Sequence, residues 1–351
     1  MTSERVTMHS IRKIYLMMGN ACNFHCPHCV QHDAHPRIKK QVSPDVINWI
    51  KTLAASRPES LKPTVLFWGG EPLLYRSVMH SVVDELGDVV DYALVSNGAL
   101  LTDEDVDWIN KHNVYFAYSN DGKNTYKVRD EDMLTNPAFV ERFKRINNRN
   151  IDSTWHALNA NPYELWDYIE DKVGAAGITL EDLLCTTNVP NETAAFDIPA
   201  LEKVFDNLYT DVMHTFATGE MTRAFMFLKK PITRVAEGVD KSPAPRCGAC
   251  LSNVSVDLSG KIYLCHNSEE VVGHVCEDFD AVHKRAQKRI KEKMQALVTA
   301  RDCQNCKAYG YCTGGCPLED PAYPAEKVCQ ARTLRWLTAK RCIDSFYGKF
   351  K

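Results

Sequence analysis

The chain has 351 residues, a formal net charge of -3, a pI near 6.5 and 44% hydrophobic residues, which is enough apolar material for a sizeable buried core. So small a net charge gives no broad field for nucleic acid or an anionic membrane, and neither is expected as a partner. The N-terminus MTSERVTMHSIRK lacks the apolar core of a secretory signal, and no apolar run reaches the roughly 20 residues of a membrane helix, so a cytoplasmic protein is expected.

In chain order, the first two-thirds alternate short β-rich runs with amphipathic stretches, which predicts an α/β fold with a parallel sheet wrapped by helices. Strands are predicted over residues 11–17, 64–68, 92–96, 114–118, 154–158 and 183–187. Ser43 before Pro44 and Thr102 with Asp105 mark helix starts, and apolar periodicity marks a helix over 139–146. In such folds catalytic groups gather on the loops after the strands' C-terminal ends. The proline-rich KSPAP at 241–245 breaks the pattern and sets domains of 1–240 and 241–351. Beyond it come a hairpin over 253–257 and 261–264 turning at Gly260, a basic helix over 280–297 and a last helix over 325–346. The run Lys284, Arg285, Lys288, Arg289, Lys291 and Lys293 reads as a solvated face.

The fourteen cysteines are bunched toward the two ends, and between Cys29 and Cys247 only Cys185 occurs. In a long, signal-free chain this favours metal or cluster ligation over disulfides. Cys22, Cys26 and Cys29 are spaced CxxxCxxC after the first predicted strand, with no fourth local ligand. A structural zinc site closes its tetrahedron with four protein ligands, whereas three cysteines on a four-iron cluster leave one iron open. Spacing alone leaves a zinc knuckle as the alternative.

The CxxxCxxC loop resembles that of the radical SAM superfamily, with His28 in a position that is usually aromatic there. Further segments extend the resemblance. FWGGEP at 67–72 resembles the family's GGE motif. Ser96, Asn97 and Gly98 resemble its TNG segment. Ser119 to Gly122 resembles SxDG, with Arg129 where an arginine is common. The resemblance implies a partial (β/α)6 TIM-like barrel. It also implies a [4Fe-4S] cluster on Cys22, Cys26 and Cys29, and S-adenosylmethionine at the open iron as the source of a 5′-deoxyadenosyl radical that abstracts hydrogen. Candidate cofactor contacts are Gly69, Gly70 and Glu71, whose charge would favour the methionine ammonium, then Ser96, Asn97, Ser119 and, more weakly, Asn159.

The C-terminal cysteines resemble the SPASM pattern: Cys247, then Gly260 and Cys265, then Cys303, Cys306, Cys312 and Cys316 spaced CxxCxxxxxCxxxC, then Cys329. The resemblance implies two auxiliary clusters, making three [4Fe-4S] clusters in all. Its crossed ligation gives Cys247, Cys250, Cys265 and Cys316 for one, with Cys250 as the added eighth ligand, and Cys303, Cys306, Cys312 and Cys329 for the other. The alternative is a pair of zinc ribbons, which CGAC and CQNC would also serve. Cys185, Cys276 and Cys342 are left as structural residues, with Cys185 at a strand end able to face substrate.

Auxiliary clusters can relay an electron or bind substrate at an open iron, and full ligation favours the electron role; the family resemblance implies an oxidation or cross-link, on a peptide or protein and above all a ribosomally made precursor peptide. A flavodoxin- or ferredoxin-type reductant is implied. Sulfatase-maturing relatives carry an aspartate after the cysteine aligned with Cys265, where this chain has His266. His266 is the candidate catalytic group, with simple packing beside a cluster as its bland reading. The stretch before Cys22 is too short for the leader-binding domain of many peptide-modifying relatives, so a separate leader-peptide-binding protein is a possible partner. The alternatives are oxidation of an alcohol or amino sugar, anaerobic sulfatase maturation, and a non-catalytic iron-sulfur electron carrier.

Overall fold

A computed structural model describes residues 10–31, 41–239, 248–249 and 252–348. Cys247, Cys250 and the KSPAP segment lie outside the described residues. Nine strands form one sheet in the order β6-β5-β4-β3-β2-β1-β7-β8-β9. They are β1 (Lys13–Met17), β2 (Thr64–Trp68), β3 (Asp91–Ser96), β4 (Tyr115–Ser119), β5 (Arg149–Trp155), β6 (Gly177–Asp182), β7 (Asn253–Asp257), β8 (Lys261–Tyr263) and β9 (Val271–His274). Strands β1 to β5 are parallel neighbours, as the alternating pattern predicts for a partial TIM-like barrel of α/β class. The connecting helices include Pro44–Ala55, Arg76–Leu86, Asp103–Lys111, Pro137–Arg145 and Pro162–Val173. Ile14, Leu16, Val65, Phe67, Leu94, Phe116 and Ile151 are fully buried in the core.

The helix starts follow local chemistry. Ser43 caps Pro44–Ala55 by accepting from Asp45 N, and Pro44 stands where the missing N–H costs nothing. Thr102 and Asp105 form a reciprocal capping box on Asp103–Lys111. Strand β7 joins the sheet in parallel with β1, Lys13 opposite Asn253, and β7, β8 and β9 then run antiparallel. The hairpin after the proline-rich break therefore continues the sheet of the N-terminal part.

Two strand predictions need correction. The fifth strand is Arg149–Trp155 and not 154–158, and the sixth is Gly177–Asp182 and not 183–187. Strand β5 is hard to see because it is polar: buried Asn150 satisfies its amide on Ile151 O, Asp152 and Thr179. Beyond β5, His156 and Asn159 close a capped 3-10 turn. Leu183 and Cys185 are buried coil, so their apolar character reports packing and no strand.

The chain divides into two compact units, which interleave along the sequence. One comprises Met1–Ser153, Leu165–Glu181 and Arg246–Ile290, and its described part holds nearly all of the sheet. The other comprises Thr154–Glu164, Asp182–Pro245 and Lys291–Lys351. Within the second, helix Glu326–Gly348 packs on Ile198–Thr218 and Arg223–Glu237. Leu208, Leu228, Ala331, Ala339 and Cys342 are buried there, and Arg341 pairs with Asp206 at 2.7 Å.

Candidate active site

The loop after β1 carries Cys22, Cys26 and Cys29, and neighbouring strand ends hold it at six points. Gly70 N donates to Gly19 O at 2.9 Å and Glu71 N to Ala21 O at 2.8 Å, while Ala21 N donates to the Tyr75 hydroxyl at 3.1 Å. Asn97 Nδ2 donates to Asn23 Oδ1 at 2.9 Å and stands 3.8 Å from Cys22 Sγ. His25 N donates to Asp130 Oδ2 at 2.6 Å, and Gln31 Nε2 to His266 O at 3.3 Å. The glycines of FWGGEP thus have a specific reason. A Cβ on Gly69 would run into the Gly19 carbonyl, and one on Gly70 would meet the Ala21 carbonyl and come within 2.6 Å of Asn20 O.

Glu71 is fully buried behind this contact. Its Oε1 accepts from Leu73 N and Ser96 Oγ, both at 2.9 Å, and its Oε2 accepts from Asn97 N at 2.8 Å. Burial pushes its pKa up to about 6, against the pull of those hydrogen bonds. The carboxylate therefore welds the loop after β2 to the loop after β3, and both of its oxygens are already engaged by protein donors. Ser96 also accepts from Gly98 N at 3.0 Å, and Asn97 Oδ1 from Ala99 N at 3.1 Å. Ser119 ends β4 opposite Asp152, half-buried.

Past Ser119, buried Asp121 pairs with Arg129 Nε at 2.8 Å. Burial works against the Arg129 cation, but Asp121 and the nearby Cys26 outweigh it and raise its pKa. Arg129 in turn opposes the burial that raises Cys26, to about 11, and Cys29. Cys26 also feels Cys29 and Cys22, which raise it further. Three neighbouring thiols, Cys22 exposed and Cys26 and Cys29 half-buried, with Cys22 and Cys26 each raised by another cysteine and a cation beside them, suit a soft metal centre that neutralises them together. Among the described residues no group of three His, Cys, Asp or Glu side chains could hold a single metal ion. A four-iron cluster spreads its thiolates over separate irons and so takes a wider spacing.

His266 lies in the same unit. Its ring stacks on Tyr15 of β1, with centroids 3.9 Å apart and planes 6° apart, and meets Trp68 of β2 edge-on at 4.6 Å. Its Nδ1 is 3.5 Å from Cys265 Sγ. Burial first, then Lys13, lowers its pKa to about 3, so the imidazole is neutral. Asn159 belongs to the second unit, where its side chain accepts from His156 N and donates to Thr154 O, both at 2.8 Å, as a local cap. Tyr15, Trp68, Tyr75 and Asp130 were not singled out by sequence. Only Trp68, inside FWGGEP, and Asp130, beside Arg129, stand next to a visible signal.

In the second unit, burial raises Cys303 to about 11, and Cys312, Cys329 and Cys306 act on it as near neighbours. Cys329 likewise feels Cys306. Cys303 thus has Cys306, Cys312 and Cys329 as electrostatic neighbours. Gly314 is part of the reason, since a Cβ there would stand 3.3 Å from Cys303 Sγ. Cys265 lies in the first unit and Cys316 in the second.

Residues 16–174 match the family model described as the Radical SAM superfamily. The chain carries a Radical SAM domain. That stretch spans β1 to the helix before β6, and so includes the cysteine loop, FWGGEP and Ser119. The chain is 22% identical over 338 residues to the Radical SAM cyclopropyl synthase TigE of Paramaledivibacter caminithermalis, covering 88% of this chain and 68% of that protein. Among solved structures, native anSMEcpe with bound AdoMet and Cp18Cys peptide matches with a TM-score of 0.68 at 17% identity, covering 96% of this chain and 99% of the other. SuiB of Streptococcus suis bound to S-adenosylmethionine matches with a TM-score of 0.59 at 14% identity, covering 92% and 79%. The two structural likenesses establish the fold. With its Radical SAM domain the chain is an enzyme, and no helix of its described residues is long and apolar enough to cross a membrane.

Proposed function

We propose that the chain is a radical SAM/SPASM enzyme that oxidises or cross-links a peptide, with a ribosomally made precursor as the substrate class. The observation that carries it is the loop bearing Cys22, Cys26 and Cys29, tied to the GGE segment and to Asn97. When bound there, S-adenosylmethionine and a [4Fe-4S] cluster supply hydrogen-atom abstraction. Cys22, Cys26 and Cys29 hold the cluster. Gly69 and Gly70 bring their own backbone close to the cysteine loop, and Glu71 fixes Ser96 and Asn97 beside it. Ser119 is the candidate contact on β4, and Asn159 remains a weaker one. The Arg129 cation, held by Asp121, offsets negative charge beside Cys26 and Cys29.

The C-terminal module, 241–351, is read as a SPASM domain with two auxiliary clusters, on Cys247, Cys250, Cys265 and Cys316 and on Cys303, Cys306, Cys312 and Cys329. His266 is kept as the candidate catalytic residue; burial and Lys13 hold its imidazole neutral, which makes it a weak base and a hydrogen-bonding group. Support for a peptide comes from the relatives: anSMEcpe was solved with bound peptides, and SuiB with its precursor peptide SuiA. A flavodoxin- or ferredoxin-type reductant and a separate leader-binding protein complete the reading. Anaerobic reconstitution, reduction and addition of S-adenosylmethionine are expected to release 5′-deoxyadenosine. Incubation with peptides encoded beside the gene is then expected to change a peptide's mass. Zinc without iron in the purified protein would defeat the reading, and turnover of a sugar alcohol with every peptide mass unchanged would move it to small-molecule oxidation.

A further inference from the structure

The second unit buries a charge cluster that the proposed chemistry does not use. Glu319 is fully buried, and the side chains of Arg301 and Arg332 are 6% and 5% exposed. Glu319 Oε1 accepts from Arg332 Nη2 at 2.5 Å, and Oε2 accepts from Arg332 Nη1 at 3.2 Å and from Arg301 Nη1. Asp182 accepts from Arg335 Nη2 at 2.6 Å on both oxygens and lies 3.9 Å from Arg332 Nε. Three guanidinium groups thus face two carboxylates, which leaves positive charge in surplus. Among the described residues, Nε and Nη2 of Arg301 are buried without a hydrogen-bond partner. Burying a cation with idle donors is costly unless an anion meets it.

A candidate for that anion is placed by two glycines. Arg301 Nη1 donates to Gly314 O at 3.0 Å, and a Cβ on Gly314 would lie 3.3 Å from Cys303 Sγ. A Cβ on Gly315 would collide with Glu319 Oε2 and stand 3.0 Å from Arg301 Nη1. The dipeptide therefore carries the Cys303 thiol at one residue and the ion cluster at the next.

We propose that Arg301, anchored by Glu319 and backed by Arg332, is a positioning residue that donates to and raises the reduction potential of the iron-sulfur cluster held by Cys303, Cys306, Cys312 and Cys329. This rests on reading those four cysteines as a cluster site. A four-iron cluster with four thiolates is anionic, and both net charge and hydrogen bonds to its sulfurs set its potential. A cation at its edge stabilises the reduced form, which suits an electron acceptor.

The test is an anaerobic redox titration of the reconstituted full chain followed by electron paramagnetic resonance, with iron and sulfide counted per chain. The component lost in Cys306→Ala identifies this cluster. In Arg301→Gln the ratio of reduced to oxidised cluster at a fixed potential is expected to fall about tenfold, or about 59 mV for one electron. Glu319→Gln is expected to shift it the opposite way, and Arg301→Lys to stay near the wild type. A change of sign between Arg301→Gln and Glu319→Gln is something mere loosening of the fold would not give. Full iron content with unchanged potentials in both Gln variants overturns the role of Arg301 and leaves the cluster assignment standing. Zinc at these cysteines, or no iron lost in Cys306→Ala, overturns the assignment itself.

Discussion

Gly70 and Glu71 act at the same seam from opposite sides, one by lacking a side chain and the other by burying a charged one. In Gly70→Ala the added methyl meets backbone carbonyls of Asn20 and Ala21, which cannot swing aside as a flexible side chain can. The cysteine loop must shift. A displacement of about 1 Å at a reacting centre costs roughly a hundredfold, so 5′-deoxyadenosine release is expected to drop by at least about that factor while the circular dichroism of the sheet persists. Glu71 gives a second prediction, in the cluster-free chain. Its folded pKa of about 6 exceeds the ordinary 4.5, so between those values the folded state binds more protons and stability falls as pH rises. The difference of 1.5 units corresponds to about 2 kcal/mol, lost by pH 7 and absent from Glu71→Gln. Urea unfolding of both chains at pH 4 and pH 7 checks this, and parallel pH profiles would contradict it. The sequence exposed the GGE residues but not their division of labour, because an acid beside two glycines looks the same whether it faces a ligand or a neighbouring loop.

At the scale of elements, signals that depend on neighbours in sequence were legible. Ser43 with Pro44 and Thr102 with Asp105 cap the helices they were assigned to, and β2 runs over the residues its apolar run marks. Signals that depend on partners far away were not. Strand β5 is half polar because Asn150 finds its partners on Asp152 and on Thr179 of the next strand, and the apolar 183–187 run is buried without being a strand. The capping box offers a clean check of a local effect. Asp105 in it is also gripped by Arg76 through both oxygens at 2.7 Å, so its side chain stays in place when the threonine is removed. Thr102→Ala is therefore expected to cost about 1 kcal/mol in chemical unfolding and to leave cofactor cleavage unchanged. A loss above roughly 3 kcal/mol would mean that the cap holds more than its helix.

For the whole molecule, the cysteine spacing announced two metal-rich regions, but the compact units cross the sequence boundary between them. The hairpin after that boundary continues the sheet at β1, because β7 supplies a parallel edge partner in register with it, a pairing no local pattern encodes. This interleaving has a consequence for cluster assembly. Cys22, Cys26 and Cys29 all belong to one unit, and Cys303, Cys306, Cys312 and Cys329 all belong to the other, so on the proposed ligation each of these two sets lies within one unit. Loss of one site should not empty the other. Cys26→Ala is expected to lose about one cluster's worth of iron and sulfide and all cleavage of S-adenosylmethionine, since three thiolates are the minimum for an open-iron cluster. Cys306→Ala is expected to lose a similar amount of iron yet keep part of the cleavage, now uncoupled from product, because the radical-generating loop stays intact while the electron has lost its acceptor. Anaerobic metal analysis, 5′-deoxyadenosine and product mass, measured on the same samples, separate the two. Equal product from both variants would mean that neither set carries the chemistry assigned to it.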